Sequence, residues 1–229
     1  MARTIIIGDL HGCRDELEDL LSLVGFGTSD QLVSVGDLVV RGPHPAGTVD
    51  LLRKISARVV RGNHEDRLLR HRHAPRGHTP PLGTLQREVV RAFKQHHWDF
   101  IASLPLWLDL PIHGVRVVHA GVDPRFPMDR QSPRVLMYVR CLDAYGTPTE
   151  RHGPTLWGEV YSGPPHLVFG HNAQELPQIH AHATGVDTGC VYGGRLTAMV
   201  LRAGERPPPP SDRRSVLVSV PARRKYYPR

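Results

Sequence analysis

Three short runs rich in β-branched residues, Ile5 to Ile7, Leu32 to Val35 and Ala57 to Val60, each end in a Gly-Asp or Gly-Asn turn. Leu17, Leu20, Leu21 and Val24 then repeat at helical spacing after the first, and Val49, Leu52 and Ile55 after the second. Short apolar runs closed by turn residues suit buried strands, and a 3.6-residue stripe suits a helix lying against them. The pattern therefore predicts a βαβαβ unit of parallel strands joined by crossover helices. In such a sheet the working loops lie at the carboxyl ends of the strands.

Residues 71 to 83, HRHAPRGHTPPLG, contain three prolines and are predicted as a loop, either a lid over the third turn or plain surface. Helical spacing returns over 84 to 102. Beyond Leu104-Pro105, the runs Leu106 to Leu110, Val115 to Val118, Leu167 to Phe169 and Leu196 to Leu201 predict a second set of strands, more antiparallel in character. Pro207 to Pro210 mark a stiff connector, followed by a strand candidate at Val216 to Val220 and a basic end, Ala222 to Arg229. The expected organisation is one catalytic domain over 1–203, then a connector and basic tail over 204–229. The bland expectation for that tail is a frayed end; its Arg223-Arg224-Lys225-Tyr226-Tyr227 run would alternatively suit RNA.

Composition narrows the function. Lys plus Arg number 29 against 22 Asp plus Glu, a net charge of +7, which favours anionic partners such as nucleotides, nucleic acid or phosphoproteins. Cys13, Cys141 and Cys190 form no CxxC pair, so neither a disulfide framework nor a thiolate zinc site is expected. The opening Thr4 to Ile7 is too short for a signal-peptide core and no apolar stretch reaches spanning length, so a cytoplasmic protein without membrane contact is expected. Trp98, Trp107 and Trp157 read as core, with Trp157 the one candidate for stacking on adenine. His71, His73, His78, His96 and His97 read as solvated surface.

The turns carry the chemistry. Gly8-Asp9-Leu10-His11-Gly12 sets a carboxylate and an imidazole two residues apart, Gly36-Asp37 closes the second strand, and Gly62-Asn63-His64-Glu65 the third. Later runs end in His119-Ala120-Gly121 and Gly170-His171-Asn172. A single Gly-Asp or Asn-His is usually only a turn. Five strand ends that each present a metal-competent side chain point instead to a shared site. Asp, His and Asn without thiolates suit manganese, iron, zinc or cobalt. The seven candidate positions exceed the needs of one ion, and a shared carboxylate would let two ions lie ~3.5–4 Å apart and supply hydroxide as the nucleophile. Arg41 and further arginines could clamp phosphoryl oxygens.

GDLHG, GDLVVRG, RGNHE, HAG and GH together resemble the signature of the PPP-type metallophosphoesterases. GDLHGC at 8–13, GDLVVRGP at 36–43 and the stretch Val186 to Thr197 most resemble the symmetrical diadenosine tetraphosphatases and ApaH-like phosphatases. The resemblance runs from about residue 3 to about 201. It implies an α/β, calcineurin-like metallophosphoesterase fold with two packed mixed β-sheets flanked by helices. It further implies that Asp9 and His11 hold a first metal, that Asp37 bridges, and that Asn63, His119 and His171 hold a second. Two divalent ions are implied, manganese first, with cobalt, iron, zinc or magnesium as alternatives. His64 would be the general acid, Arg41 would bind phosphate, and Arg140 is the candidate second arginine. The implied reaction is attack by metal-bound hydroxide on diadenosine tetraphosphate to give two ADP. RNA cap-like ends and phosphoproteins are the alternative substrates.

One position departs from the protein-phosphatase branch of that group, where an aspartate before the arginine of the second motif orients the acid histidine. Here that residue is Val40. Without the carboxylate His64 should be a weaker acid or be oriented by another group such as a carbonyl, which matters most for poor leaving groups. A serine alkoxide is such a group; a nucleoside diphosphate, or a phenolate of pKa about 10, leaves far more easily. Phosphoanhydrides are therefore expected first, phosphotyrosine next, and phosphoserine or phosphothreonine last.

Overall fold

In this computed structural model, which describes residues 2–75 and 78–228, the first strand shows how the molecule is layered. Ile5, Ile6 and Ile7 of β1 (Arg3–Ile7) are all fully buried, yet alternate residues point to opposite faces. Ile5 and Ile7 pack with Leu17 and Leu20 of α1 (Arg14–Leu23) and with Val49 and Leu52 of α2 (Pro45–Lys54). Ile6 instead meets Val117 and Val168 of a second sheet. A strand buried on both faces must be apolar throughout, which is why the run reads as continuous rather than alternating.

β1 pairs in parallel with β2 (Gln31–Ser34), and β2 with β3 (Arg58–Val59), as the sequence pattern predicts. α3 (Asn63–His73) follows, then α4 (Thr84–Ala92) and α5 (Gln95–Ser103), so the helical stretch from 84 breaks at Phe93-Lys94. His71 to His73 close α3 instead of opening the loop, where basic side chains suit a helix C-terminus. Arg76 and Gly77, at the centre of the expected lid, lie outside the described residues, as does Arg229. His97 is buried, not solvated: its Nδ1 accepts the Lys94 N–H at 2.9 Å and its Nε2 lies 3.1 Å from Asp50.

The second sheet begins with β4 (Trp107–Leu110) and β5 (Val115–Val118). α6 (Pro133–Tyr138), a small sheet of β6 (Cys141–Leu142), β7 (Pro148–Thr149) and β8 (Thr155–Leu156), and α7 (Trp157–Val160) then cover its outer face. β9 (His166–Phe169), β10 (Gln178–Ile179) and β11 (Ala183–Gly185) complete it in the order β10-β11-β9-β5-β4. β5, β9 and β11 are parallel, so the expected antiparallel character holds only at the edges. β12 (Asp187–Thr188) and β13 (Arg195–Arg202) return to the first sheet, with β13 antiparallel to β1. Leu196 to Leu201 thus belong beside β1, contrary to their predicted place in the second set.

The segment from 204 onward is not a frayed end. β14 (Leu217–Pro221) pairs antiparallel with β13, and Arg213 is buried, its guanidinium bonded to the Pro208 carbonyl and Thr184. Beyond β14, Arg223 bridges to Asp15 at 2.8 Å and Asp19 at 3.0 Å on α1, and the Tyr226 hydroxyl donates to the buried Glu16 at 2.7 Å. Among the described residues no helix is long and apolar enough to cross a membrane.

Candidate active site

The carboxyl ends of β1, β2, β3, β5 and β9 converge, and with them Asp9, His11, Asp37, Asn63, His64, His119 and His171. A polar cavity of about 290 Å³ opens there, lined by His11, Asp37, Arg41, Asn63, His64 and Arg140 among others.

Asp37 is the centre of the arrangement. Its Oδ2 lies 3.6 Å from His11 Nε2 and 3.9 Å from His64 Nε2, while its Oδ1 lies 3.4 Å from His119 Nε2. Asn63 Oδ1 is 3.1 Å from His119 Nε2 and 3.0 Å from His171 Nδ1. Two ligand groups result, His11–Asp37–His64 and Asp37–His119–His171, each with its donor atoms within 4.8 Å of one another. Asp9 belongs to neither group. Both of its oxygens accept the His171 N–H at 3.1 Å, and Gly170 approaches so closely that a Cβ there would collide with the carboxylate.

Protonation tests whether these residues fit a cation. His119 Nδ1 stands 2.8 Å from the Val35 carbonyl and can only donate to it, so in the neutral ring Nε2 carries a lone pair. That lone pair faces the oxygens of Asn63 and Asp37 with no proton between them. Adding a second proton is disfavoured, because burial pushes His119 down to about 4. A cation at that point relieves all three atoms, so the residues fit a metal. His11 differs in one respect: its Nδ1 lies 3.2 Å from the Val39 carbonyl, but its Nε2 lone pair accepts an Arg41 N–H at 2.9 Å, which a cation would have to displace, and burial lowers the ring to about 3. Burial raises Asp37 and Glu65 each to about 7 and lifts Asp9 and Asp187 above the usual carboxylate range. Four buried acids share too little positive charge.

Local backbone is bent to build this. His11, Asp37, Val40, Arg41 and His171 all have φ between 46° and 77°, a conformation costly for side chains with a Cβ and most of all for a β-branched valine. Glu65, fully buried, fastens the second loop: its Oε2 accepts the N–H of Asp37 at 3.0 Å and of Gly62 at 3.0 Å, and its Oε1 that of Leu38 at 2.9 Å. A side chain at Gly62 would strike the Asp37 carboxylate, so a glycine there lets the third loop close on the second.

Every residue expected from the motifs reaches the site, Arg140 included: its Nη1 donates to the His171 carbonyl at 3.0 Å and to Asn172 at 3.3 Å. Asp187, Tyr192 and His152 also line the cavity without having been singled out. Asp187 carried a readable signal, an acid in an Asp-Thr-Gly turn after Val186; His152 carried none. Trp157 is not a stacking platform. Its ring is buried against Phe169, and Nε1 donates to the Ala120 carbonyl at 3.1 Å.

His64 is the unusual member. Its Nδ1 is buried and has no hydrogen-bond partner among the described residues, so neither a carboxylate nor a carbonyl orients it. Val40, the residue at the departing position, is packed into the apolar core under the helices. Burial, with help from His11 and Arg41, holds the imidazole well below its ordinary pKa.

Residues 2–202 match the family model described as calcineurin-like phosphoesterase. The chain belongs to this family. It is thus a metallophosphoesterase of the calcineurin-like fold, a family that implies divalent metal ions. Among curated relatives, the asymmetrical bis(5'-nucleosyl)-tetraphosphatase PrpE of Halalkalibacterium halodurans is 32% identical over 225 residues, covering 85% of this chain and 88% of that protein. The protein of the same name from Oceanobacillus iheyensis is 30% identical over 220 residues, covering 84% and 86%. A crystal structure described provisionally as a diadenosine tetraphosphatase is 36% identical with a TM-score of 0.82, covering 96% of this chain and 93% of its own. A cold-active protein-tyrosine phosphatase from Shewanella, at 16% identity and a TM-score of 0.54 over 86% of this chain and 75% of its own, shares the fold. The curated relatives are named asymmetrical, whereas the motifs pointed to the symmetrical branch.

Proposed function

We propose that this metallophosphoesterase hydrolyses a phosphoanhydride bond of dinucleoside tetraphosphates, and that it does so asymmetrically. The observation that carries the reading is the unpartnered Nδ1 of His64 beside a ligand cluster shared through Asp37. Two divalent cations, when bound, would lower the pKa of a water molecule and neutralise charge growing on the phosphoryl oxygens. In this proposal His11 and Asp37, with Asp9 behind them, face one cation, and Asp37, Asn63, His119 and His171 the other. Arg41 and Arg140 flank the cavity as donors to the phosphate chain. His64 stays neutral at pH 7 and is not braced, so it holds no ready proton for the departing oxygen. That limits the site to leaving groups stable without protonation, and a nucleotide phosphate is such a group. The shared fold of the Shewanella tyrosine phosphatase lends no comparable support to a phosphoprotein substrate.

Asymmetrical cleavage replaces the symmetrical cleavage expected from the motifs, and the names of the curated relatives support the change. With diadenosine tetraphosphate and manganese, chromatography of the first products should resolve ATP and AMP in equal amounts. ADP as the sole product would overturn the asymmetry, and recovery of intact substrate would overturn the reading.

A further inference from the structure

The family match ends at residue 202, yet the chain beyond it returns to Arg41 and Tyr192, two residues that line the cavity. β14 leads back along β13, and the N–H groups of Tyr226 and Tyr227 both reach the Val191 carbonyl at 3.0 Å. The latch of Arg223 and Tyr226 onto Asp15, Asp19 and Glu16 fixes this return. Tyr227 is thereby set near Tyr192, with ring centroids 6.4 Å apart. The Arg41 guanidinium carbon lies over both rings, 5.5 Å from the Tyr192 centroid and 5.6 Å from that of Tyr227. The same guanidinium donates to His11 Nε2.

We infer that Tyr227 is a positioning residue for Arg41, supplied to the site by the C-terminal segment. A guanidinium on a flexible side chain loses rotamer entropy when it grips phosphate, and two aromatic faces that hold it beforehand reduce that loss. The basic run at 223–227 is accordingly tied to α1 through Arg223 and Tyr226, and it reaches the site only through the Tyr227 ring beside Arg41. This inference rests on the proposed role of Arg41 in binding phosphate, but not on the identity of the rest of the substrate.

The test uses the manganese-loaded full chain and inorganic phosphate as the probe, with affinity read by calorimetry. Tyr227→Ala should weaken phosphate binding roughly three- to tenfold, and Tyr227→Leu, which keeps apolar bulk without a π face, should do the same. Tyr227→Phe should stay within about twofold of wild type, since the ring carries the effect. In an Arg41→Ala background, Tyr227→Ala should change nothing further. Equal losses in both backgrounds, a phenylalanine as damaging as alanine, or no phosphate binding by wild type would each overturn the inference. If these affinities follow the pattern while wild type leaves diadenosine tetraphosphate intact, the proposed substrate fails and the role of Tyr227 stands.

Discussion

Asp37→Asn is expected to lower turnover at least a thousandfold while leaving the fold in place. Asp37 is the only residue common to the two ligand groups, with one oxygen turned to His11 and the other to His119. Asparagine keeps the shape but removes the charge and turns one oxygen into a donor. A bridging carboxylate contributes several kcal/mol through the cations it holds, and each 1.36 kcal/mol of barrier is tenfold in rate, so about three powers of ten follow. Calorimetric titration with manganese should find two equivalents bound by wild type and no more than one by the variant. The metal-free variant should melt at or above the wild-type temperature, because Asp37 sits buried at about 7 beside three other acids and its charge is costly there. A variant that binds two equivalents and turns over normally would remove Asp37 from the centre of the site.

Glu65→Ala is expected to cost about 3–5 kcal/mol of stability, the range for breaking a buried charged interaction. Three backbone N–H groups, from Asp37, Leu38 and Gly62, lose their acceptor together, each at roughly 1–3 kcal/mol before water enters to replace part of it. Glu65→Gln should fall between, since one oxygen remains and the amide presents a donor to donors. Urea unfolding would register the loss as a lower midpoint with little change in slope. A loss below about 0.5 kcal/mol, the usual size of a surface effect, would show that the loops hold Asp37 without this clamp.

These two residues show what the sequence does and does not disclose. Asp37 was legible because it closes a β-branched strand in a glycine-led turn, and parallel α/β architecture gathers such turns at one edge. Glu65 was visible within its motif, but its role depends on three donors, two of them on another loop. The first three strands could be read because burial on both faces forces continuous apolar runs. β13 could not be assigned to its sheet, since an apolar run does not name its partner. The tail was misread for a related reason. Arg223 looks solvated in sequence, and the acids that receive it, Asp15 and Asp19, lie some 200 residues earlier. Asp9 shows a different gap: its type and turn suggest a ligand, but only the folded chain places the His171 amide across both of its oxygens.

In the proposed reaction, an unbraced His64 beside a two-cation site commits the enzyme to leaving groups that need no proton. The most direct test is the ratio of kcat/KM for diadenosine tetraphosphate to that for a phosphoserine peptide, measured with manganese in wild type and in Val40→Asp. The wild-type ratio should be about 100 or more, the lower range of general-acid effects, and at least tenfold smaller once a carboxylate stands before Arg41. The positive φ of residue 40 suits Asp at least as well as valine, but the side chain there is packed in the apolar core, so thermal melting and manganese binding of Val40→Asp must match wild type for the ratio to count. A wild type that prefers phosphoserine, or a ratio unmoved by Val40→Asp, would contradict the proposed reaction.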